Sequence, residues 1–444
     1  MSKAVQGQTG GLLEQFFKLQ ENKTTVRTEI VAGITTFMTM VYIIFVNPST
    51  LAAAGMNWNG VFIATVLASV VGTLLMAFLA NYPFALAPGM GLNAFFAYVI
   101  ASQVGWQIAL GLVFLEGILF IVLSATSFRA ALVNSIPLSL KAAISAGIGL
   151  FIALIGFKNA GIIVPYEVTL VSLGDLTAPG PLTAIFGLFV AGILYALKVK
   201  GALLWSILGA TLFGMLPGIG VTGAFEGFVA WPALGDFAEV AFQLDIAGAL
   251  SFSLIGIVLS LLIVDLFDTA GTLVGVATRA GYLDKNGNLP RANQALMADS
   301  IATTTGALFG TSTTTTYIES AAGVSAGGRT GLTGVVVAAL FFLSLFFMPL
   351  VGMVPAAATA PALIVVGILM MGSVAKIDWE DITQSFPAFL CIVGMPFTFS
   401  IADGIAFGFI SYAILNNIVS KDGKRPSWIV NIVALVFVLF FVFL

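Results

Sequence analysis

Residues 310–328 read GTSTTTTYIESAAGVSAGG, and the fold turns on this stretch. Every residue from Ser312 to Thr316 carries a hydroxyl, and four of these five are β-branched. β-Branched side chains favour extended backbone over helix. The Ser, Ala and Gly series after Glu319 is suited to open a short helix. A few extended residues are therefore expected to feed a half-helix, with Glu319 near its start. The stretch lies between apolar runs. At bilayer depth, irregular backbone is tolerated only where protein buries it or it lines a wet cavity. An ionisable residue at that depth marks a functional site.

The remainder of the chain is built for lipid. Of 444 residues, 59% are hydrophobic and 8% charged, and the mean hydropathy is +1.09. A soluble chain carries roughly a quarter charged residues, so this is a polytopic membrane protein. No short N-terminal apolar run ends in a small-residue cleavage site, so the first span is expected to be retained. The lone Cys391 excludes internal disulfides and cysteine metal sites. Histidine is absent, which leaves proton coupling to carboxylates. The net charge of −3 argues against a nucleic-acid partner. No cofactor or metal is expected.

Apolar runs cover about 28–47, 60–80, 85–101, 106–128, 138–157, 179–197, 202–218, 246–277, 291–309, 317–327, 330–350, 359–375, 385–401, 403–419 and 427–444. A full crossing needs about 20 apolar residues. The runs at 85–101 and 310–327 are too short or too broken for one. With the N-terminus inside, Arg129, Lys141, Lys198, Lys200, Arg279, Lys285, Arg291, Arg329, Lys376, Lys421, Lys424 and Arg425 fall inside, and only Lys158 falls outside. The loop 218–245 falls outside and carries Glu226, Asp236, Glu239 and Asp245 without a basic residue. This positive-inside pattern predicts 14 crossings. The run at 427–444 either adds a span or lies in the interface. The broken runs stand third in each half, seven spans apart, which inverts one half relative to the other. Paired broken helices in inverted halves point to a transport site near the midplane.

The first broken run reads PFALAPGMGLN from Pro83 to Asn93. Pro83 and Pro88 oppose helix, and Gly89 and Gly91 free the backbone, so a helix is expected to start near Gly91. Its unpaired N–H groups would face a ligand. Asn93 adds an amide that donates and accepts, or else cross-braces the helices. Asp265 and Asp268 lie three apart, on one helix face. Two acids so placed demand a cavity, a cation or each other. Thr269 and Thr272 are expected to bond their own backbone. Asp299 is placed to brace the Thr-rich stretch, and Glu116 is a further buried acid. Asp403 is expected to begin a short helix as a structural acid, and Arg329 to act as a cytoplasmic anchor. Phe37 is a candidate for stacking on a planar ring. This set suits a neutral, planar, hydrogen-bond-rich solute with proton or sodium coupling. An anion carrier or channel of the same architecture would call for a basic residue in 83–98 or 310–327, and neither stretch has one. An enzyme is not expected.

TTFMTMVYI (35–43), ALAPGMGLNAFFAY (85–98), LFDTAGTLVGV (266–276) and TYIESAAGVSAGGRTGL (316–332) resemble the AzgA-like hypoxanthine/guanine/adenine permeases of the nucleobase cation symporter (nucleobase-ascorbate transporter) family. The resemblance covers nearly the whole chain. It implies an all-α polytopic protein of the uracil-permease fold, with 14 spans as two inverted seven-span repeats and short antiparallel strands in spans 3 and 10. It also implies a core domain (1–137 and 245–350), a gate domain (138–244 and 351–444), and proton-coupled purine import across the plasma (bacterial inner) membrane by alternating access. Glu319, Asn93, Asp265, Phe37, Gly91 and Thr316 are then expected to bind substrate, and Asp265, Asp268 and Asp299 to couple the proton. Monomer and homodimer, the preferred purine, and proton or sodium all stay open.

Overall fold

The computed structural model describes residues 11–124, 136–223, 227–251, 254–283, 289–419 and 425–443. Lys3, Arg129, Glu226, Lys285, Lys421 and Lys424 lie outside the described residues. The elements used below are α1 (Val26–Met40), α2 (Ile43–Ala52), α3 (Trp58–Leu75), β1 (Leu86–Pro88), α4 (Met90–Ala94), α5 (Trp106–Ser124), α6 (Leu138–Asn159), β2 (Ile163–Tyr166), β3 (Leu170–Leu173), α7 (Pro179–Ala196) and α8 (Ala202–Gly214). After these come α9 (Ile255–Ala280), α10 (Ala292–Phe309), β4 (Thr314–Thr316), α11 (Ser320–Ser325), α12 (Gly331–Ser344), α13 (Ala356–Met371), α14 (Ile382–Thr398), α15 (Ile401–Val419) and α16 (Trp428–Phe443). Among the described residues, eight helices are long and apolar enough to cross a bilayer, and shorter apolar helices stand beside them.

The extended residues expected in the Thr-rich run form β4. It pairs antiparallel with β1, Leu86 opposite Thr316 and Pro88 opposite Thr314. A two-stranded ribbon leaves both outer edges unpaired, which hydrocarbon does not allow. Side chains close both edges. On the β1 side, the Leu86 N–H donates to Thr73 Oγ1 at 3.0 Å and that hydroxyl donates to the Leu86 carbonyl at 3.1 Å. On the β4 side, the Thr316 N–H donates to Asp299 Oδ1 at 3.0 Å and Thr303 donates to the Thr314 carbonyl at 2.9 Å. The Ala85 N–H donates to Ser320 Oγ at 2.9 Å. Each such group left unpaired would cost about 1–3 kcal/mol, so the polar density of this region follows from its broken backbone.

The helices pack in two groups. One holds α1, α3, α5, α10, α11 and α12 around the β1–β4 ribbon; the other holds α6, α7, α8, α13, α14 and α15. Within the second, glycines bring α6 against its neighbours. A Cβ at Gly149 would lie 2.8 Å from the Gly367 carbonyl oxygen, and one at Gly147 would lie 2.6 Å from Met395 Sδ. In the first group, buried Glu29 accepts the N–H groups of Arg329 (2.9 Å), Thr330 (3.2 Å) and Thr333 (3.2 Å) and the Thr333 hydroxyl (2.6 Å). The N–H groups of Thr330 and Thr333 are among the orphan donors at the start of α12. Arg329 donates its guanidinium to the carbonyls of Val324 and Gly328. Arg329 thus closes the end of the half-helix α11.

Three local expectations are corrected. The first span is not one regular helix: α1 ends at Met40 and α2 begins at Ile43, with Val41 and Tyr42 between them still in helical conformation. The run 246–277 is not one helix: α9 starts at Ile255, after a separate turn of helix at Ile246–Ala249. Asp403 lies in the first turn of α15, which has 19 residues, so it does not begin a short helix. The dipole argument for an acid there is unchanged. The last apolar run forms the 16-residue helix α16.

Candidate substrate site

The antiparallel ribbon leads at one end into α4 and at the other into α11. Gly89 caps α4, and its N–H donates to the Thr313 carbonyl at 2.9 Å. Tyr317 closes the crossing: its N–H donates to the Ala85 carbonyl at 2.9 Å and its hydroxyl to the Pro88 carbonyl at 2.5 Å. Glu319 follows as the residue preceding α11, half-buried among these groups. Tyr42 donates its hydroxyl to Glu319 Oε1 at 2.6 Å. The buried Tyr42 stands at the junction of α1 and α2, so the irregular turn in the first span aims a phenol at the carboxylate. A short bond from a hydroxyl to a charged acceptor is among the stronger hydrogen bonds. Tyr195, near the end of α7 in the second helix group, lies within electrostatic reach of Glu319.

Asp268 faces the same place. A Cβ at Gly89 would lie 3.7 Å from Asp268 Oδ2 and 2.7 Å from Thr315 Cγ2, so glycine there lets β4 and the carboxylate approach this point of the ribbon closely. Asp268 is also within electrostatic reach of Asp299 and Glu319. Asp265, one turn earlier, points elsewhere. It accepts from Thr269 Oγ1 at 3.0 Å, and the same hydroxyl lies 2.9 Å from Asp299 Oδ2 and 2.8 Å from Thr315 Oγ1. The expectation that Thr269 bonds its own backbone is therefore corrected: its hydroxyl joins α9 to α10 and β4.

The other candidates take definite positions. Asp299 accepts both the N–H and the hydroxyl of Thr316, at 3.0 and 3.1 Å, so the Thr316 side chain is engaged by α10. Asn93 is buried, accepts from Ser312 Oγ at 2.5 Å and reaches the Pro88 carbonyl at 3.5 Å. This is the cross-brace between the two broken segments. Glu116 accepts from Thr313 Oγ1 at 3.0 Å. Gly91 faces α6, where an added Cβ would meet Ile148 Cγ2 at 2.7 Å. Phe37 meets Phe341 of α12 edge to face, with ring centroids 5.2 Å apart. Tyr42, Tyr195 and Thr269 were not selected from the sequence. The one signal for Tyr42 is that a tyrosine within an apolar span must find a partner for its hydroxyl.

The model of the Permease family (Xan_ur_permease) matches residues 27–407. The adenine permease AdeP of Escherichia coli is 48% identical over 436 residues, 98% of this chain and 97% of that protein. The guanine/hypoxanthine permease PbuO of Bacillus subtilis is 48% identical over 406 residues, 90% of this chain and 93% of that one. Among solved structures, the transmembrane domain of the cyanobacterial bicarbonate transporter BicA superposes with a TM-score of 0.64 at 17% identity, covering 85% of this chain and 97% of that domain. At that identity the likeness is one of fold alone.

Proposed function

The chain belongs to the Permease family, and from that premise we propose that it imports purine nucleobases by proton symport with alternating access. Relatives named for adenine and for guanine/hypoxanthine, 48% identical over nine-tenths or more of the chain, support the substrate class. The observation that carries the site is the Glu319 carboxylate, held by Tyr42 at 2.6 Å just after the ribbon, with Asp268 against Gly89 at the ribbon's other end. A flat heterocycle there would give a ring N–H to Glu319. Acids line the space, and a neutral base suits it better than an anion.

Fourteen crossings in two inverted repeats are supported by the pairing of β1 with β4, one strand from each half. The first helix group, within 1–137 and 245–350, would be the moving core; the second, within 138–244 and 351–444, the gate. Asn159 of α6 donates to the Tyr98 hydroxyl at 2.8 Å, a bond between the groups that movement must break. The distribution of basic residues supports an N-terminus on the cytoplasmic side of the plasma membrane.

Uptake of labelled hypoxanthine tests the function. Unlabelled adenine or guanine is expected to compete, uracil to compete poorly, and an uncoupler to prevent accumulation. Uptake indifferent to all purines would refute the reading. Tyr42→Phe removes only the phenolic oxygen. Hydrogen bonds to charged groups contribute about 1.5–3 kcal/mol, so the KM for hypoxanthine is expected to rise about tenfold or more with membrane abundance unchanged. An unaltered KM would separate Tyr42 from recognition.

A further inference from the structure

The Thr269 hydroxyl has three oxygen neighbours: Asp265 Oδ1 at 3.0 Å, Asp299 Oδ2 at 2.9 Å and Thr315 Oγ1 at 2.8 Å. Asp265, Thr269, Asp299 and Thr315 are all buried. A threonine hydroxyl has one hydrogen and two lone pairs. It can donate to one carboxylate oxygen and no more. If both aspartates were ionised, the second would set a bare anionic oxygen against the Thr269 oxygen at hydrogen-bond distance with no hydrogen between them. Burial makes such a contact costly. The contact is satisfied when one of the two carboxyls carries a proton and donates it to Thr269, while Thr269 donates to the other.

We propose that Asp265 and Asp299 hold one proton in common and exchange it through the Thr269 hydroxyl. The proposal rests on the proton-symport reading and names the carrier: the pair that shares the proton is Asp265 and Asp299, not Asp265 and its helix neighbour Asp268. The transfer balances. The Asp265 O–H breaks as its hydrogen joins Thr269 Oγ1, and the former Thr269 hydrogen joins Asp299 Oδ2. One proton has moved and the hydroxyl is restored.

The position of the proton reaches the substrate site through the ribbon. Asp299 Oδ1 holds the N–H and hydroxyl of Thr316, three residues before Glu319. An ionised Asp299 grips β4 by charge-assisted bonds, and a protonated one grips it less. Other ionisable groups face the trio. Asp268 acts on Asp299 from α9 and is itself acted on by Glu319. Glu116 of α5 binds the same ribbon through Thr313. All are acids, so the cluster favours keeping one proton.

Thr269→Val and Thr269→Ser, reconstituted in vesicles, test the exchange. Parent and serine variant are expected to accumulate labelled hypoxanthine under an inward proton gradient. The valine variant is expected to lose that accumulation about tenfold, yet to keep exchanging internal for external hypoxanthine, so that accumulation falls far more than exchange. A valine variant that accumulates like the parent overturns the proposal, as does one that loses exchange along with accumulation. A parent indifferent to the gradient would instead remove the proton-symport reading. Should the valine protein not reach the membrane, infrared spectra of the purified parent decide. A carboxylic-acid carbonyl band altered by both Asp265→Asn and Asp299→Asn is expected, and its absence overturns the proposal.

Discussion

Glu319→Gln is expected to lower hypoxanthine uptake by about two orders of magnitude, with the protein at parent level in the membrane. The substitution keeps the size of the side chain and leaves the Tyr42 phenol an oxygen to donate to. What it removes is the negative charge that would accept a purine N–H. It also turns an amide N–H2 toward a donor on the base, or swings the amide round and breaks the Tyr42 bond of 2.6 Å. Hydrogen bonds to charged groups contribute about 1.5–3 kcal/mol, and an opposed pair of buried donors adds to the loss. Surface abundance measured beside uptake separates lost recognition from lost folding. Uptake within twofold of the parent would detach Glu319 from the substrate.

Gly91→Leu is expected to reduce uptake at least tenfold, for a mechanical reason. The missing side chain of Gly91 is filled by Ile148 of α6, whose Cγ2 would stand 2.7 Å from a new Cβ, with Ile152 Cδ1 at 3.5 Å. The α6 helix cannot retreat, because Gly149 and Gly147 already hold it against Gly367 and Met395. A leucine would therefore lift α4 from the surface along which the core is proposed to move. Ile148→Ala removes the opposing carbons and should restore most of the uptake in the double variant. A Gly91→Leu protein that transports like the parent would place the sliding surface elsewhere.

The two broken segments were legible because their composition conflicts with a continuous helix. Ser312 to Thr316 prefer extended backbone, and Pro83 and Pro88 oppose helix, so strand and half-helix follow from local preference. That the strands pair with each other is a long-range fact, which the resemblance implied and local propensity does not contain. The acids were legible as costly residues in lipid, but their partners were not. Three-residue spacing puts Asp265 and Asp268 on one face of α9, yet the structure turns one toward Thr269 and Asp299 and leaves the other at Gly89. A threonine in a helix has its own carbonyls close by, which hides a bond made across to another helix. Tyr42 was hidden in the same way. No proline or glycine stands at 41–42 to announce the irregular turn, so the first span reads as one regular helix. Gly91 was legible as a place of backbone freedom, but which helix fills the space depends on packing alone.

The claim on which the account depends is that a purine is held in the gap between the starts of α4 and α11 by the Glu319 carboxylate. Equilibrium binding of labelled hypoxanthine to the purified parent and to Glu319→Gln tests it without the transport cycle. Saturable binding by the parent, weakened about a hundredfold in the variant at equal melting temperature, is the expected result. Equal affinity in the two proteins would contradict it.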